Sequence, residues 1–229
     1  MTRLSPACSI RFLYYGTEGF DMSEVSAREQ LIFAIAEAEW DMFQNVRNTG
    51  GRASCQNDSD TFFKMRMSQW MVYSDEILES YFKDCQEAVE KGWNLIFEKY
   101  ARMMENVYQE EYERLLPWIP QVSDKKKEMV EEMVQMHLEW DRWMLENYPN
   151  IRKNGRVMTT DQDSQLEGSS SESYLRAEAL TYSERTVALL HAFCKDAWEK
   201  GENLLKQIIE NETRFYGYES LEAAEAAHA

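Results

Sequence analysis

The chain has 229 residues and a formal net charge of −16, with 44% hydrophobic and 13% aromatic residues. This apolar content excludes a disordered chain, and only nine glycines and four prolines favour helices. The negative charge opposes binding to nucleic acid or to an anionic membrane, whose phosphates would be repelled, although a local basic pocket could still hold a small anion.

A first helix is predicted over about 26–48, because Ser26 and Glu29 form a capping box and apolar residues recur at helical spacing. The paired glycines that follow end this helix, since glycine readily adopts the left-handed conformation of a helix terminus. Three further helices in the first half are predicted to begin after capping residues, which are Asp58, Ser74 and Asn94.

Pro117 and Pro120 mark the junction between two halves, and the second half repeats the pattern. Ser123 caps a long helix, and later helices begin near Glu172 and Ser183. No segment alternates with period 2, so the predicted fold class is all-α, with about eight helices. The segment 159–173 contains Gly-Ser-Ser-Ser and is predicted to be a flexible surface loop, with a lid over a site as the alternative.

Three short segments recur in the same order in the second half: 39–41 as 139–141, 73–74 as 182–183, and 91–92 as 200–201. The offset grows from 139 − 39 = 100 to 200 − 91 = 109, so about nine residues enter within 159–173. Such self-similarity predicts an internal duplication of a four-helix unit, with pseudo-twofold packing around one shared core. The predicted repeats are 26–116 and 122–218.

Four cysteines and three histidines show no spacing typical of a metal site or of a disulfide framework. No apolar run approaches the roughly 20 residues that span a bilayer. We therefore predict a cytoplasmic protein without a metal site, and the cofactor stays unknown. Residues 1–22 are predicted to be an N-terminal extension that need not be ordered, followed by a single all-α domain over 23–229.

Glu39 is the leading candidate for chemistry. Its helical neighbours include Ile35, Met42 and Phe43, so the carboxylate lies inside an apolar stripe. A carboxylate in that position must find a cation, hydrogen-bond donors or a proton. An internal salt bridge with an arginine of another helix is one interpretation. A buried catalytic acid or base, or an anchor for a ligand, is the other.

The loop after the first helix is the densest patch of reactive groups. Consecutive glycines leave backbone N–H groups free to converge on an anion, and a guanidinium adds a bidentate fork. Cys55 is a candidate nucleophile if a nearby cation lowers its pKa. The paired glycines are equally typical of a plain helix stop. The ligand-binding residues predicted in this loop are Asn48, Gly51, Arg52, Ser54 and Gln56.

Arg66 and Arg176 precede the two Tyr-Ser segments on helices rich in apolar residues. Arginines in such positions are usually counter-ions of buried carboxylates, here Glu39 and either Glu178 or Asp141. Together with Tyr182, whose alternative role is packing, these arginines are predicted to line the second side of a site between the halves.

The run Glu-Trp-x-Met-Phe at 39–43, followed by Asn-x-Gly-Gly-Arg-Ala-Ser-Cys-Gln at 48–56, resembles the signature of a bacterial family catalogued only as a domain of unknown function. The resemblance extends from residue 31 to the last helix and supplies no activity. It implies that six candidate residues belong to the family motif: Glu39, Asn48, Arg52, Ser54, Cys55 and Gln56.

Two functional hypotheses follow. The first is a small-molecule enzyme or binding protein for an anionic ligand, with an acid–base role for Glu39 and with catalysis itself left open. The alternative is a non-catalytic helical interaction protein that docks a protein partner, such as a nucleotidyltransferase-like enzyme, through its acidic faces.

Overall fold

The computed structural model describes residues 25–47, 51–153, 155–165 and 168–229. The predicted extension 1–22 and the candidate Asn48 lie outside the described residues. The described residues form eleven α-helices, two short 3-10 helices (Ser54–Asn57 and Thr160–Gln162) and no β-sheet. The α-helices are α1 Ala27–Gln44, α2 Ser59–Trp70, α3 Asp75–Glu90, α4 Leu95–Met103, α5 Gln109–Leu115, α6 Asp124–Asn147, α7 Pro149–Arg152, α8 Ser171–Ala179, α9 Glu184–Glu199, α10 Leu204–Phe215 and α11 Leu221–Ala227.

The all-α prediction is confirmed, and the helices beyond the eight predicted are the short elements α5, α7 and α11. The helix predicted from residue 95 onward is divided, because the backbone turns between α4 and α5. Asn106 lies in this turn, and its amide donates to Asp163 Oδ2 at 3.2 Å and Ser173 Oγ at 3.3 Å. Contacts with the second half therefore compete with continuation of the helix.

Helix packing follows a regular scheme. Helix α1 packs against α2, α3 and α4, and α6 packs against α8, α9 and α10. The two halves meet where α3 contacts α9, α4 contacts α8, and α10 contacts α2. Exchanging α1, α2, α3 and α4 for α6, α8, α9 and α10 maps this set of contacts onto itself. The scheme supports the predicted duplication, which remains a prediction.

Matched hydrogen bonds indicate which residues correspond. Asn94 Nδ2 donates to Met42 O at 2.8 Å, and Asn203 Nδ2 donates to Trp140 O at 3.2 Å. The donors are separated by 203 − 94 = 109 positions and the acceptors by 140 − 42 = 98. These two bonds indicate an offset of 98 between the first helices of the halves, in place of the 100 of the repeated Glu-Trp-Asp.

A second pair of contacts gives the same offset. Arg28 donates to the carbonyls of residues 71 and 73, and Lys126 donates to those of residues 180 and 182. The cations differ by 126 − 28 = 98 and the acceptors by 109. We therefore propose that Glu39 corresponds to His137, and not to Glu139.

The described part of the segment 159–173 is tied to α8. Asp163 accepts hydrogen bonds from the Ser170 amide and the Ser173 hydroxyl, while Glu172 Oε2 accepts from the Thr160 amide at 2.8 Å. Ser170 and Ser173 are buried. These contacts cover the N-terminus of α8, and the predicted flexibility of the segment remains a prediction.

Candidate functional site

Glu39 is fully buried in α1, and four donors surround its carboxylate. Arg66 of α2 binds it in bidentate fashion, with Nε donating to Oε2 at 2.7 Å and Nη2 to Oε1 at 2.5 Å. Trp70 Nε1 donates to Oε2 at 3.3 Å, and the Tyr81 hydroxyl donates to Oε1 at 2.9 Å. Each oxygen therefore accepts two hydrogen bonds, which offsets the loss of water on burial.

The ionic contacts of Arg66 extend to a carboxylate in the second half of the chain. Arg66 Nη2 lies 2.9 Å from Glu178 Oε1, and Lys99 Nζ lies 3.3 Å from Glu178 Oε2. The Tyr182 hydroxyl donates to Glu178 Oε1 at 2.7 Å. We call Glu39, Arg66, Glu178 and Lys99 the buried ion chain. Its two carboxylates balance its two cations, so these four residues together carry no net formal charge.

The pKa values follow from this arrangement. Burial alone would raise the pKa of Glu178, but Arg66 and Lys99 outweigh it and hold the pKa well below its usual range. Burial would lower the pKa of Lys99, but Tyr174 and Glu178 raise it above its ordinary value. Both groups consequently stay ionised at ordinary pH.

Aromatic rings wall off the ion chain at the contact between the halves. Trp70 stacks on Tyr81 with ring centroids 4.3 Å apart, and Tyr81 meets Tyr182 edge-on at 4.6 Å. Burial raises the pKa of both tyrosines well above the ordinary value. Their hydroxyls therefore remain protonated and serve as donors to the two carboxylates.

The Lys99 end of the chain approaches the surface. Lys99 Nζ donates to the Tyr174 hydroxyl at 2.9 Å, and the exposed Arg156 guanidinium lies 4.9 Å from the Tyr174 ring centroid. Half-buried Tyr100 lies beside them. Burial has the largest effect on the pKa of Tyr100 and raises it above the ordinary value. Lys99 and Arg156 act in the opposite direction, and Tyr174 and Cys55 act in the same direction as burial. We call Tyr100, Tyr174 and Arg156 the tyrosine mouth.

The glycine–arginine loop packs against the C-terminus of α1. Gln56 is buried, and its Nε2 donates to the carbonyls of Phe43 at 2.8 Å and Val46 at 3.1 Å. Arg52 Nε donates to Asn57 Oδ1 at 2.8 Å, and its Nη2 donates to Gln44. The Gln56 bonds satisfy backbone carbonyls at the C-terminus of α1, which is a structural role. The Arg52 bonds join side chains of the loop and of α1.

The other loop candidates are exposed. Gly51 has a φ of 91°, which non-glycine residues rarely adopt. Ser54 begins the 3-10 helix with an exposed side chain, and Cys55 is exposed with a free thiol. Of these residues, Cys55 acts electrostatically on Tyr100 and so lies near the tyrosine mouth.

Arg176 is engaged elsewhere. It binds Glu131 of α6 in bidentate fashion and lies 2.7 Å from Glu172, in place of the expected Glu178 or Asp141. Asp141 is bound by Arg152 instead. The structure thus brings together Glu39, Arg66 and Tyr182 of the predicted site, and it places Arg176 in a separate ion pair.

Lys99 was not among the predicted site residues, although a signal for it exists. It lies between Ile96 and Met103 at helical spacing, so it interrupts an apolar stripe just as Glu39 does. Tyr174 carried no such signal, because its importance depends on the contact between α4 and α8.

Two cavities border the described residues, of about 400 Å³ between α6 and α9 and about 20 Å³ beside Arg176. Neither is lined by Glu39 or by the residues of the loop 51–56. Within the described ranges, no group of three or more His, Cys, Asp or Glu side chains is placed to hold a metal ion. None of the helices described is both long and apolar enough to cross a membrane.

Comparison with known proteins matched residues 29–226 to a family model described as protein of unknown function (DUF4125). No curated protein and no solved structure matched the chain. The resemblance to a family of unknown function is thereby confirmed. Because the match to the family model covers most of the sequence and nearly all of the helices described above, the chain belongs to this family.

Proposed function

We propose that the protein binds a small anionic ligand at the tyrosine mouth, where the buried ion chain comes to the surface. The observation that carries this proposal is the sequence of contacts from buried Lys99 through the Tyr174 hydroxyl to the exposed guanidinium of Arg156. In a chain with a net charge of −16, such a gathering of cations and hydroxyl donors is the chemistry that recognises an anion.

Local charge supports this assignment. Among the described residues, neither Arg156 nor Arg52 makes an ion pair, although Arg52 is held by polar side chains. Arg156 donates to the Ser169 carbonyl at 2.9 Å, which orients its guanidinium over the Tyr174 ring. A planar guanidinium held in this way can offer two parallel N–H groups to a carboxylate or a phosphate.

In this proposal Glu39 acts on the site through Arg66, Glu178 and Lys99, as a positioning residue. An acid–base role for Glu39 would require one of its four donors to leave when a ligand binds. Cys55 would supply the nucleophile if the protein is an enzyme, because its thiol is exposed near Tyr100. A cytoplasmic location and the absence of nucleic-acid binding remain parts of the proposal, and the second of these rests on the net charge of −16.

The proposal is tested by thermal unfolding of the purified protein during titration with inorganic phosphate and with citrate. A ligand that binds only the folded state at 100 times its Kd stabilises it by about 2.7 kcal/mol. We expect stabilisation of the wild type by at least one anion, and loss of that stabilisation in Arg156→Ala. Tyr174→Phe should weaken binding, because a donor is removed.

The matched control is Arg185→Ala, which removes an exposed arginine of α9 that lies 3.5 Å from Glu76. It should respond to both anions as the wild type does. Equal stabilisation of Arg156→Ala and Arg185→Ala would show nonspecific anion binding. No stabilisation of the wild type by either anion would remove the proposal.

The alternative, a helical interaction protein, is favoured by one separate observation. The larger cavity is an open groove on α6 and α9 with a half-exposed tryptophan, away from the residues of the tyrosine mouth. The two functions are compatible, because they use different surfaces.

A further inference from the structure

The groove between α6 and α9 has a volume of about 400 Å³ and opens to solvent. Its lining combines apolar side chains, charged side chains and the amide of Gln135. We call it the α6–α9 groove and define it by Glu131, Glu132, Met136, Lys195, Trp198 and Glu199.

The apolar residues of the groove lining are Met136 and Trp198. Trp198 is 46% exposed, and its ring lies 6.2 Å from that of buried Trp140, which supports it from below. Met136 lies beside it, half-buried. A large exposed aromatic side chain next to a flexible methionine is typical of surfaces that accept an apolar anchor from a partner.

The charged residues of the groove lining are mostly acidic. The lining contains three glutamates and one lysine, which gives a net charge of −2. Glu131 contacts Arg176, and Glu132 contacts His191 and, at 4.0 Å, Lys195. Glu199 makes no ion pair with any described residue. A second copy of the same acidic face would be repelled, and a positively charged partner would be attracted.

We propose that the α6–α9 groove binds the apolar face of a basic amphipathic helix from a partner protein. One turn of that helix places a large apolar side chain between Met136 and Trp198. Lysines or arginines on the flanks of the helix then face Glu132 and Glu199. This helix-in-groove mode needs an apolar seat and opposite charge on its rim, and the groove has both. The proposal is independent of anion binding at the tyrosine mouth.

The test uses the full-length protein and two synthetic helical peptides with the same leucine face, one with lysine on its polar face and one with glutamate. Binding is measured by calorimetry and by tryptophan fluorescence. We expect the lysine peptide to bind and the glutamate peptide not to bind. Trp198→Ala should weaken binding about tenfold or more, as for a central interface aromatic.

Charge variants separate specific docking from general attraction to an acidic protein. Glu132→Lys with Glu199→Lys changes the groove, while Glu110→Lys with Glu113→Lys makes the same charge change on exposed positions of α5. Only the groove pair should weaken binding strongly. Circular dichroism shows whether each variant is folded.

Three outcomes would overturn the proposal. The wild type could fail to bind the lysine peptide, or the two charge pairs could weaken binding equally. The third is a wild-type dimer, measured by sedimentation, that Trp198→Ala dissociates, because this result would assign the groove to a second copy of the chain.

Discussion

Glu39 in α1 and His137 in α6, which we propose to be counterparts in the two halves, have surroundings that differ in kind. Glu39 is ionically bound and accepts four hydrogen bonds. His137 packs against the Trp140 ring at 4.8 Å, and burial lowers its pKa to about 4, so it is neutral at pH 7. The residues that correspond to Arg66, Trp70 and Tyr81, 109 positions later, are Leu175, Ala179 and Leu190.

The helix arrangement therefore does not require a buried charge at this position. The first half fills it with an ion pair, and the second half fills the proposed counterpart with a neutral histidine among apolar side chains. The buried ion chain is therefore an added feature of the first half, which Glu178 links to the second. Buried ion pairs seldom add stability over apolar packing, so a specific role in joining the halves or supporting a site is the better explanation.

The largest expected effect comes from removing Glu39. Glu39→Leu leaves the buried Arg66 with Glu178 as its only carboxylate, and the chain then carries an unbalanced positive charge. Loss of one partner of a buried pair costs about 3–5 kcal/mol of unfolding free energy. Urea denaturation measures this loss, and a change below about 1 kcal/mol would contradict the role assigned to the ion chain.

The double variant Glu39→Leu with Arg66→Leu makes the first half resemble the second. Its loss should be smaller than the sum of the two single losses, because Lys99 and Tyr182 still bind Glu178. Additive losses would show that the two side chains act independently.

The neutral state of buried His137 leads us to expect that protein stability depends on pH. The pKa of His137 is about 4 in the folded state, against about 6.5 when unfolded, so the unfolded state binds more protons between these values. The contribution of His137 to the free energy of unfolding is fully present above about pH 6.5. It decreases as the pH falls, and about 2 kcal/mol is lost at pH 5. His137→Leu should remove this part of the acid sensitivity, as measured by denaturation at both pH values.

The corresponding tyrosines sharpen the comparison further. Tyr182 donates to Glu178, whereas the Tyr73 hydroxyl, 109 positions earlier, makes no hydrogen bond with the described residues. Tyr182→Phe should cost about 1.5 kcal/mol, as expected for a hydrogen bond to a charged group. Tyr73→Phe, the matched control, should cost less in the same denaturation experiment, and equal losses would argue against the distinction.

The smallest effect is expected at Glu139. This residue matches Glu39 by the repeated Glu-Trp-Asp, but its side chain is 53% exposed and pairs with Arg142 on the same helix. Glu139→Ala should change stability by less than about 0.5 kcal/mol. A loss of stability as large as that of Glu39→Leu would indicate that Glu139, at an offset of 100, is the counterpart of Glu39. It would contradict the proposed correspondence of Glu39 with His137.

Much of the candidate site was predictable from the sequence. The burial of Glu39 follows from its place in an apolar stripe, and Arg66 was one of two arginines available at a similar place. The packing of α4 against α8 determines that Glu178, and no other carboxylate, is the second partner of Arg66. The same packing brings Lys99 and Tyr174 into the site. No local pattern carries that information.

Local sequence signals specified most of the long helices and many of their ends. Ser26 with Glu29, the caps Asn94 and Asn203, and the left-handed glycines at 92 and 201 all act within a few residues along the chain. The register between α1 and α6 and the membership of the buried ion chain were set by tertiary packing. Both depend on contacts between residues far apart in sequence, where identical letters need not occupy equivalent places.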